Sequence, residues 1–132
     1  MGGRQTVLLV EDDPDLMRFA QVTLRLAGYR VVTASDGEQA LVAARKARPT
    51  LMLLDLRLPV LDGWQVLDRM AADPGLRTIP VLIVTATAEG LSRRSVEASS
   101  VVGYLVKPLS ADALLAGVES AAAGPAGGAP AS

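Results

Sequence analysis

The sequence predicts an α/β fold in which a five-stranded parallel sheet is covered by helices on both faces. Five short runs rich in Val, Leu and Ile recur along the 132 residues, and segments with helical spacing separate them. Several of these runs are apolar throughout rather than alternating, which is typical of parallel strands buried on both faces. Strands and helices that alternate in this way, joined by right-handed crossovers, favour a doubly wound sheet.

The predicted elements alternate five times. Strands are expected at 7–10, 29–34, 51–55, 81–86 and 104–107. Helices are expected at 14–27, 36–47, 63–72, 89–99 and 110–122. Residues that start or stop helices support these limits, because Pro14 lies in a first turn, Gly28 follows a last turn and Ser110 occupies an N-cap position.

The first helix has a predicted apolar stripe that faces the core. Helical spacing places five residues on that stripe, namely Leu16, Ala20, Thr23, Leu24 and Ala27. Three further apolar residues fall off it, namely Met17, Val22 and Leu26. We therefore expect this helix to expose part of its apolar surface.

Composition limits the chemistry available to the chain. Apolar types make up 50% and charged types 20%, which indicates a folded soluble protein, and the net charge of −1 gives no indication of binding to nucleic acid or anionic membrane. No stretch is long enough to span a bilayer. The absence of Cys and His excludes disulfides, thiolate and imidazole catalysis and most zinc sites. One domain is expected at 5–122, followed by a disordered Ala/Gly/Pro tail at 123–132.

Polar residues end four of the five predicted strands. Glu11 and Asp12 follow the first strand, Asp55 ends the third, and Thr85 and Lys107 end the fourth and fifth. The carboxyl ends of parallel strands meet at one edge of the sheet, and the flavodoxin-like order 2-1-3-4-5 of a (βα)5 fold makes the first and third strands neighbours. We therefore expect these side chains to share one pocket.

Clustered carboxylates repel one another, and a hard divalent cation relieves that repulsion. Mg²⁺ prefers oxygen ligands and is often bound by one or two carboxylates together with a phosphate. Lys107 adds a second positive charge and Thr85 a hydroxyl group. The pattern predicts a phosphate site in which Asp55 is the group placed to be phosphorylated or to displace phosphate.

Four segments carry a family resemblance. The stretches VLLVEDDPDLM, LLDLRLPVLDG, VLIVTATA and GYLVKP resemble, in order and spacing, the motifs of response-regulator receiver domains of two-component signalling, of the stand-alone, chemotaxis-regulator-like type. The resemblance covers about residues 5–122. It implies that Glu11 and Asp12 bind Mg²⁺ together with Asp55 and the backbone carbonyl of Arg57, and that Asp55 is the phosphoacceptor.

The same resemblance implies a conformational switch. Thr85 matches the hydroxyl that turns toward the phosphoryl group, Tyr104 the aromatic ring whose rotation follows, and Lys107 the lysine that contacts a phosphoryl oxygen. It also implies a cis peptide bond between Lys107 and Pro108. Residues 98–103 (ASSVVG) depart from the family pattern, and we expect a loop before Tyr104 that is more apolar than usual, either without consequence or as an altered partner surface.

The implied function is that of a single-domain, cytoplasmic response regulator. A histidine kinase or phosphotransfer protein would phosphorylate Asp55, and the switch would change binding to an unidentified partner protein, without direct nucleic-acid binding or membrane insertion. The exposed side of the first helix would suit docking of a helical phosphotransfer partner. No metabolic enzyme activity is implied, only self-catalysed phosphoryl acceptance and autodephosphorylation. The alternatives are a phosphorelay intermediate, or a receiver fragment of a regulator with a DNA-binding or enzymatic output domain.

Two other classes fit less well. Phosphatases of the haloacid-dehalogenase type also use a strand-end Asp and Mg²⁺, but they require a second acid two residues later, where this chain has Arg57. A flavodoxin-like flavin binder requires a phosphate-binding loop after the first strand, where Glu11, Asp12 and Asp13 would repel a phosphate.

Overall fold

Five parallel strands form a single sheet in the computed structural model, which describes residues 5–86 and 100–123. The strands are β1 (Thr6–Val10), β2 (Arg30–Ala34), β3 (Leu51–Asp55), β4 (Val81–Thr85) and β5 (Val101–Val106). The described helices are α1 (Pro14–Leu26), α2 (Gly37–Ala47), α3 (Gly63–Ala71) and α4 (Ala111–Ala122). The strand order is β2-β1-β3-β4-β5, so the predicted fold class and sheet order are confirmed.

Two predictions concern residues outside the described ranges. The helix expected at 89–99 lies there, and so does the tail expected at 123–132 apart from Ala123. The helix expected at 110–122 is α4. Within the described ranges, no helix has both the length and the apolar character needed to cross a membrane.

The central strands are the most buried part of the molecule. Every residue of β3 and β4 is buried, as expected for parallel strands covered on both faces. Val10 of β1 is in register with Leu54, and Asp55 is in register with Val84. Neighbouring strands therefore end at the same level, and the residues that follow them meet at one edge.

Apolar side chains form a layer on each face of the sheet. The first layer lies under α2 and α3, and the second under α1 and α4. Helix residues of the first layer are Ala40, Leu41, Ala44, Val66, Leu67 and Met70. Helix residues of the second are Ala20, Leu24, Leu114, Val118 and Ala121. Burial on both faces accounts for strands that are apolar throughout.

The apolar stripe of α1 differs from the prediction at two positions. Ala20 and Leu24 are buried as expected, but Met17 also packs partly against the second layer. It precedes Ala20 by three residues and Leu24 by seven, so it lies on the same helix face. Ala27 is exposed, because it caps the C-terminus of the helix rather than facing the core.

The last strand is longer than predicted. Residues 101–103 were expected in a loop before Tyr104, and that prediction is wrong, because β5 begins at Val101. Two consecutive β-branched residues favour the extended conformation, so Val101 and Val102 continue the strand. A register shift between Val81 and Leu82 accommodates the additional residue. Every β5 residue is at least partly exposed, unlike those of β3 and β4.

Side-chain caps begin the helices at the carboxyl edge of the sheet. The carboxylates of Asp13, Asp36 and Asp62 accept backbone N–H groups at the first turns of α1, α2 and α3, and the Ser110 hydroxyl does so for α4. Asp62 also forms a reciprocal capping box with Gln65. These caps satisfy N–H groups that a helix leaves unpaired, and they fix the start of each helix directly beside a strand end.

The start of α2 contacts the loop that follows β3. The Gly37 backbone N–H donates to the Pro59 carbonyl oxygen at 3.3 Å. A Cβ atom at position 37 would overlap the backbone carbonyl oxygen and Cβ of Leu61. Only glycine fits this contact, and the contact positions the loop.

We expect Gly37→Ala to lower the free energy of unfolding by about 1–3 kcal/mol, because the added methyl group forces backbone to move. Gly75→Ala is the matched control, since a Cβ at Gly75 meets only the Asp73 carboxylate oxygen at 3.4 Å. Its effect should stay within about 0.5 kcal/mol. Urea denaturation measures both variants, and equal midpoints would contradict the close contact.

Candidate functional site

A cavity of about 820 Å³ opens at the carboxyl edge of the sheet. It lies where β1, β3, β4 and β5 end. Predicted site residues that line it are Glu11, Asp12, Asp55, Arg57, Thr85 and Lys107. The structure therefore brings together six of the seven residues singled out in the sequence.

Asp55 is the last residue of β3 and is only 4% exposed. Its Oδ1 accepts the backbone N–H of Arg57 at 3.0 Å, and its Oδ2 accepts a hydrogen bond from Lys107 Nζ at 2.9 Å. Both oxygens are therefore bonded, and an ion pair offsets the cost of burying the charge.

Glu11 follows β1 and is 3% exposed, whereas Asp12 beside it is exposed. Glu11 Oε2 accepts the backbone N–H of Asp13 at 3.0 Å, and Oε1 lies 3.4 Å from Lys107 Nζ. One lysine thus serves two buried carboxylates, and its ammonium is nearer to Asp55. Asp12 is the member of the acidic pair that faces solvent.

Burial raises the pKa of Glu11 from its usual 4.5 to about 7. The backbone N–H of Asp13 and the charge of Lys107 oppose that rise, and the Asp55 carboxylate adds to it. Burial alone would lower the pKa of Lys107, but its hydrogen bonds and charge interactions with Asp55 and Glu11 outweigh burial and raise that pKa. Lys107 therefore stays a cation, and the carboxylates compete for it.

The three acids are close enough to share a cation. Glu11, Asp12 and Asp55 each offer an oxygen, and these oxygens lie within 4.8 Å of one another. Two ligands of one magnesium ion lie at most about 4.2 Å apart, because each is about 2.1 Å from the metal. The oxygen-only donor set suits Mg²⁺, and the three side chains would draw closer together to bind one ion.

Thr85 and Lys107 form the opposite wall of the cavity. Thr85 ends β4 and is buried, and the Lys107 backbone N–H donates to its carbonyl oxygen at 2.8 Å. The Lys107–Pro108 peptide bond is cis, which confirms that expectation. Tyr104 does not line the cavity; it is half exposed on β5.

The loop after β3 supplies residues that the sequence analysis missed. They are Leu56, Leu58, Pro59 and the N-cap residue Asp62, and Trp64 in the first turn of α3 lines the cavity beside them. The apolar residues among them give the cavity an apolar wall beside its acidic one. Asp13 and Ala86 also line the cavity. The sequence does indicate that this loop lies at the site, because the chain turns at Pro59 and Asp62-Gly63 directly after Asp55.

The chain is similar to known proteins of one family. The family model described as the response regulator receiver domain matches residues 7–119. A DNA-binding response regulator, MtrA of Mycolicibacterium smegmatis, is 36% identical over 117 residues, which is 89% of this chain and 50% of MtrA. A probable transcriptional regulator, ycf27 of Porphyra purpurea, is 33% identical over 89% of this chain and 47% of its own length. The chain spans about half the length of the curated relatives it matches.

Solved structures give the same result. The receiver domain of the sensor histidine kinase PA1611 from Pseudomonas aeruginosa PAO1 superimposes with a TM-score of 0.82 and 34% sequence identity. The match covers 91% of this chain and 98% of the PA1611 chain. That structure has a magnesium ion coordinated in its active-site cleft. The chemotaxis response regulator CheY4 of Vibrio cholerae has a TM-score of 0.82 and 29% identity, over 89% of this chain and 98% of its own. The chain belongs to the response regulator receiver domain family.

Proposed function

We propose that this chain accepts a phosphoryl group on Asp55 from a phosphohistidine of a histidine kinase or phosphotransfer protein, and that the modification changes its binding to a partner protein. The observation that carries the proposal is the placement of the Asp55 carboxylate, at the floor of an open cavity between two other acids and a lysine. A buried carboxylate so arranged suits attack on an electrophilic phosphorus.

In the proposed reaction a carboxylate oxygen of Asp55 attacks phosphorus, the bond from phosphorus to the donor nitrogen breaks, and an acyl phosphate forms. The Arg57 N–H and Lys107 hold the two carboxylate oxygens before attack. Lys107 then turns to an oxygen of the transferred group and balances part of its charge. Hydrolysis of the acyl phosphate by water restores Asp55.

Glu11, Asp12, Asp55 and the backbone carbonyl of Arg57 are the groups that would hold Mg²⁺. When bound, the ion neutralises charge on the phosphoryl oxygens during transfer. The supporting observations are the oxygen cluster of this chain and the magnesium ion seen in the cleft of the PA1611 receiver domain. Glu11 gains most from such an ion, because its burial otherwise favours the neutral acid.

A conformational switch follows from the added charge. Phosphorylation brings about −1.5 to −2 charge into the cavity. Thr85 lines the cavity, and its hydroxyl is a neutral donor that turns to the phosphoryl group. Tyr104 lies one strand away in register with Ile83, and Val102 and Val106 are exposed on β5 with it. This apolar exposed strand supports a partner-binding surface that responds to Thr85.

The phosphodonor and the output are parts of the same proposal. Phe19, Val22 and Leu26 leave an exposed apolar side on α1, which supports docking of a helical donor in the cytoplasm. The relatives named as DNA-binding regulators are about twice as long as this chain. Their length favours, as second candidate, a receiver that controls a DNA-binding output domain.

We expect Asp55→Asn to abolish labelling by acetyl phosphate, because an amide cannot form the acyl phosphate. Asp112→Asn, which changes an exposed acid in the first turn of α4, should label like the wild type. Intact-protein mass spectrometry with and without Mg²⁺ measures the modification, and hydroxylamine should remove it. A labelled Asp55→Asn protein would mean that another residue is the acceptor.

Mg²⁺ should stabilise the folded chain. At ten times its Kd the ion adds about 1.4 kcal/mol to the free energy of unfolding. Asp12→Ala should raise the stability of the metal-free protein, because one of three crowded charges is lost, and should abolish the response to Mg²⁺. Thermal melts in chelator and in millimolar Mg²⁺ test both statements. A melting temperature that is the same in chelator and Mg²⁺ would count against the metal site.

In metal-free protein, stability should fall as pH rises from about 4.5 to about 7. The folded state keeps the Glu11 proton in this range, because its pKa is raised to about 7, whereas the unfolded chain has released it. Above pH 7 the cost is complete, on the order of 3 kcal/mol. Glu11→Gln should flatten this slope, and Glu38→Gln, at an exposed position in α2, should retain it. Urea midpoints across this pH range measure the slope. Equal slopes for the wild type and Glu11→Gln would contradict a raised pKa of Glu11.

A further inference from the structure

Val60 lies in a strained turn of the loop after β3. Its φ is +70°, and the Leu61 backbone N–H donates to the Pro59 carbonyl oxygen at 2.8 Å, so residues 59–61 form a γ-turn. Turns of this hand are rare and strained. A positive φ is costly for a β-branched residue in particular, and glycine or asparagine would adopt it more readily.

Packing within the chain does not offset that strain. The Val60 side chain is 68% exposed and belongs to neither apolar layer, whereas Leu58 and Leu61 on either side pack against the first layer. The turn itself is useful, since the Pro59 carbonyl also accepts the Gly37 N–H at the start of α2. The turn explains the backbone conformation, but it does not explain an isopropyl group in solvent.

Val60 lies next to the rim of the cavity through which Asp55 is reached. Asp55 is 4% exposed at the floor of the cavity, so a protein donor must insert its phosphohistidine ring while the rest of the donor rests on the rim. Part of that rim is the loop that contains Leu58, Pro59 and Asp62, all of which line the cavity. Val60 adjoins Pro59, and its side chain is more exposed than those of Leu58 and Leu61 in the same loop.

We propose that Val60 is a docking and specificity contact for the protein phosphodonor, and that it packs against an apolar side chain next to the donor's phosphohistidine. The inference rests on the proposed function and names a contact that it requires. A small donor such as acetyl phosphate enters the cavity without touching the rim. Val60 therefore acts on protein donors alone.

The expected size follows from burial. When complex formation buries most of an exposed valine side chain, the affinity rises by about tenfold, which corresponds to about 1.4 kcal/mol of binding free energy. Because the contact forms on docking and is kept during transfer, its loss should appear in KM rather than in kcat.

Matched variants separate docking from loop shape. Val60→Ala removes the side chain, Val60→Gly removes it and relieves the strain, and Val42→Ala trims a valine of similar exposure on α2. The donors are acetyl phosphate and, from a panel of purified autophosphorylated histidine kinases, the kinase that labels the wild type fastest. Transfer rates at several receiver concentrations give kcat and KM.

The proposal expects both Val60 variants to show about a tenfold higher KM with the kinase and labelling by acetyl phosphate within twofold of wild type. Val42→Ala should match the wild type with both donors. Unchanged transfer from the kinase to Val60→Gly and Val60→Ala would overturn the docking contact and leave Asp55 as acceptor. Equal losses with both donors would overturn it as well, because Val60 would then act through loop shape. Kinase labelling that survives Asp55→Asn would instead refute the proposed function.

Discussion

The burial of two carboxylates against a single ammonium is the constraint on which this molecule depends. Glu11 and Asp55 are both nearly inaccessible to solvent, and Lys107 Nζ contacts both. With Asp12 at their side and all three acids ionised, the carboxylates exceed Lys107 by two negative charges, which equals the charge of one divalent cation. In metal-free protein the raised pKa of Glu11, about 7, reduces this excess, because Glu11 then holds its proton below that pH. A stable fold has to carry this excess, and a divalent cation bound at the proposed site would neutralise it.

The most buried strands of the sheet hold the acids together against their electrostatic repulsion. β1 and β3 are neighbours in register, so their carboxyl ends bring Glu11 and Asp55 together, and apolar layers on both faces hold the two strands rigidly. Caps at Asp13 and Asp62 begin the helices directly beside these strand ends. The topology and the packing therefore bring the acids together. The attraction of both acids to Lys107 is a further contribution, in an arrangement that the core already maintains.

The parts of the fold that could be predicted from sequence are those with local or periodic signals. Apolar strands, helix caps and the polar residues at four strand ends predicted the sheet and five cavity residues, and the family resemblance added Arg57. The errors arose where neighbours decide the outcome. Met17 packs against the core because it lies three residues before Ala20, on the same face of α1. Val101 joins β5 because β4 is available for pairing. The γ-turn at Val60 had no sequence signal, because valine is a residue that avoids it.

The two walls of the cavity differ in how firmly the fold holds them. Glu11 follows β1 and Asp55 ends β3, and both strands are almost wholly buried. On the other wall Thr85 ends the buried strand β4, but Lys107 follows β5, where no residue is fully buried. Displacing β1 or β3 would open both apolar layers, whereas β5 is an edge strand that adds only the partly buried Val101 and Leu105 to them. A new negative charge at Asp55 that pulls on Lys107 and Thr85 should therefore move the β5 side rather than the acidic side. The asymmetry favours an output surface at Tyr104 and its exposed neighbours on β5, and under the proposed function it would leave the acidic wall in place for a further phosphoryl group.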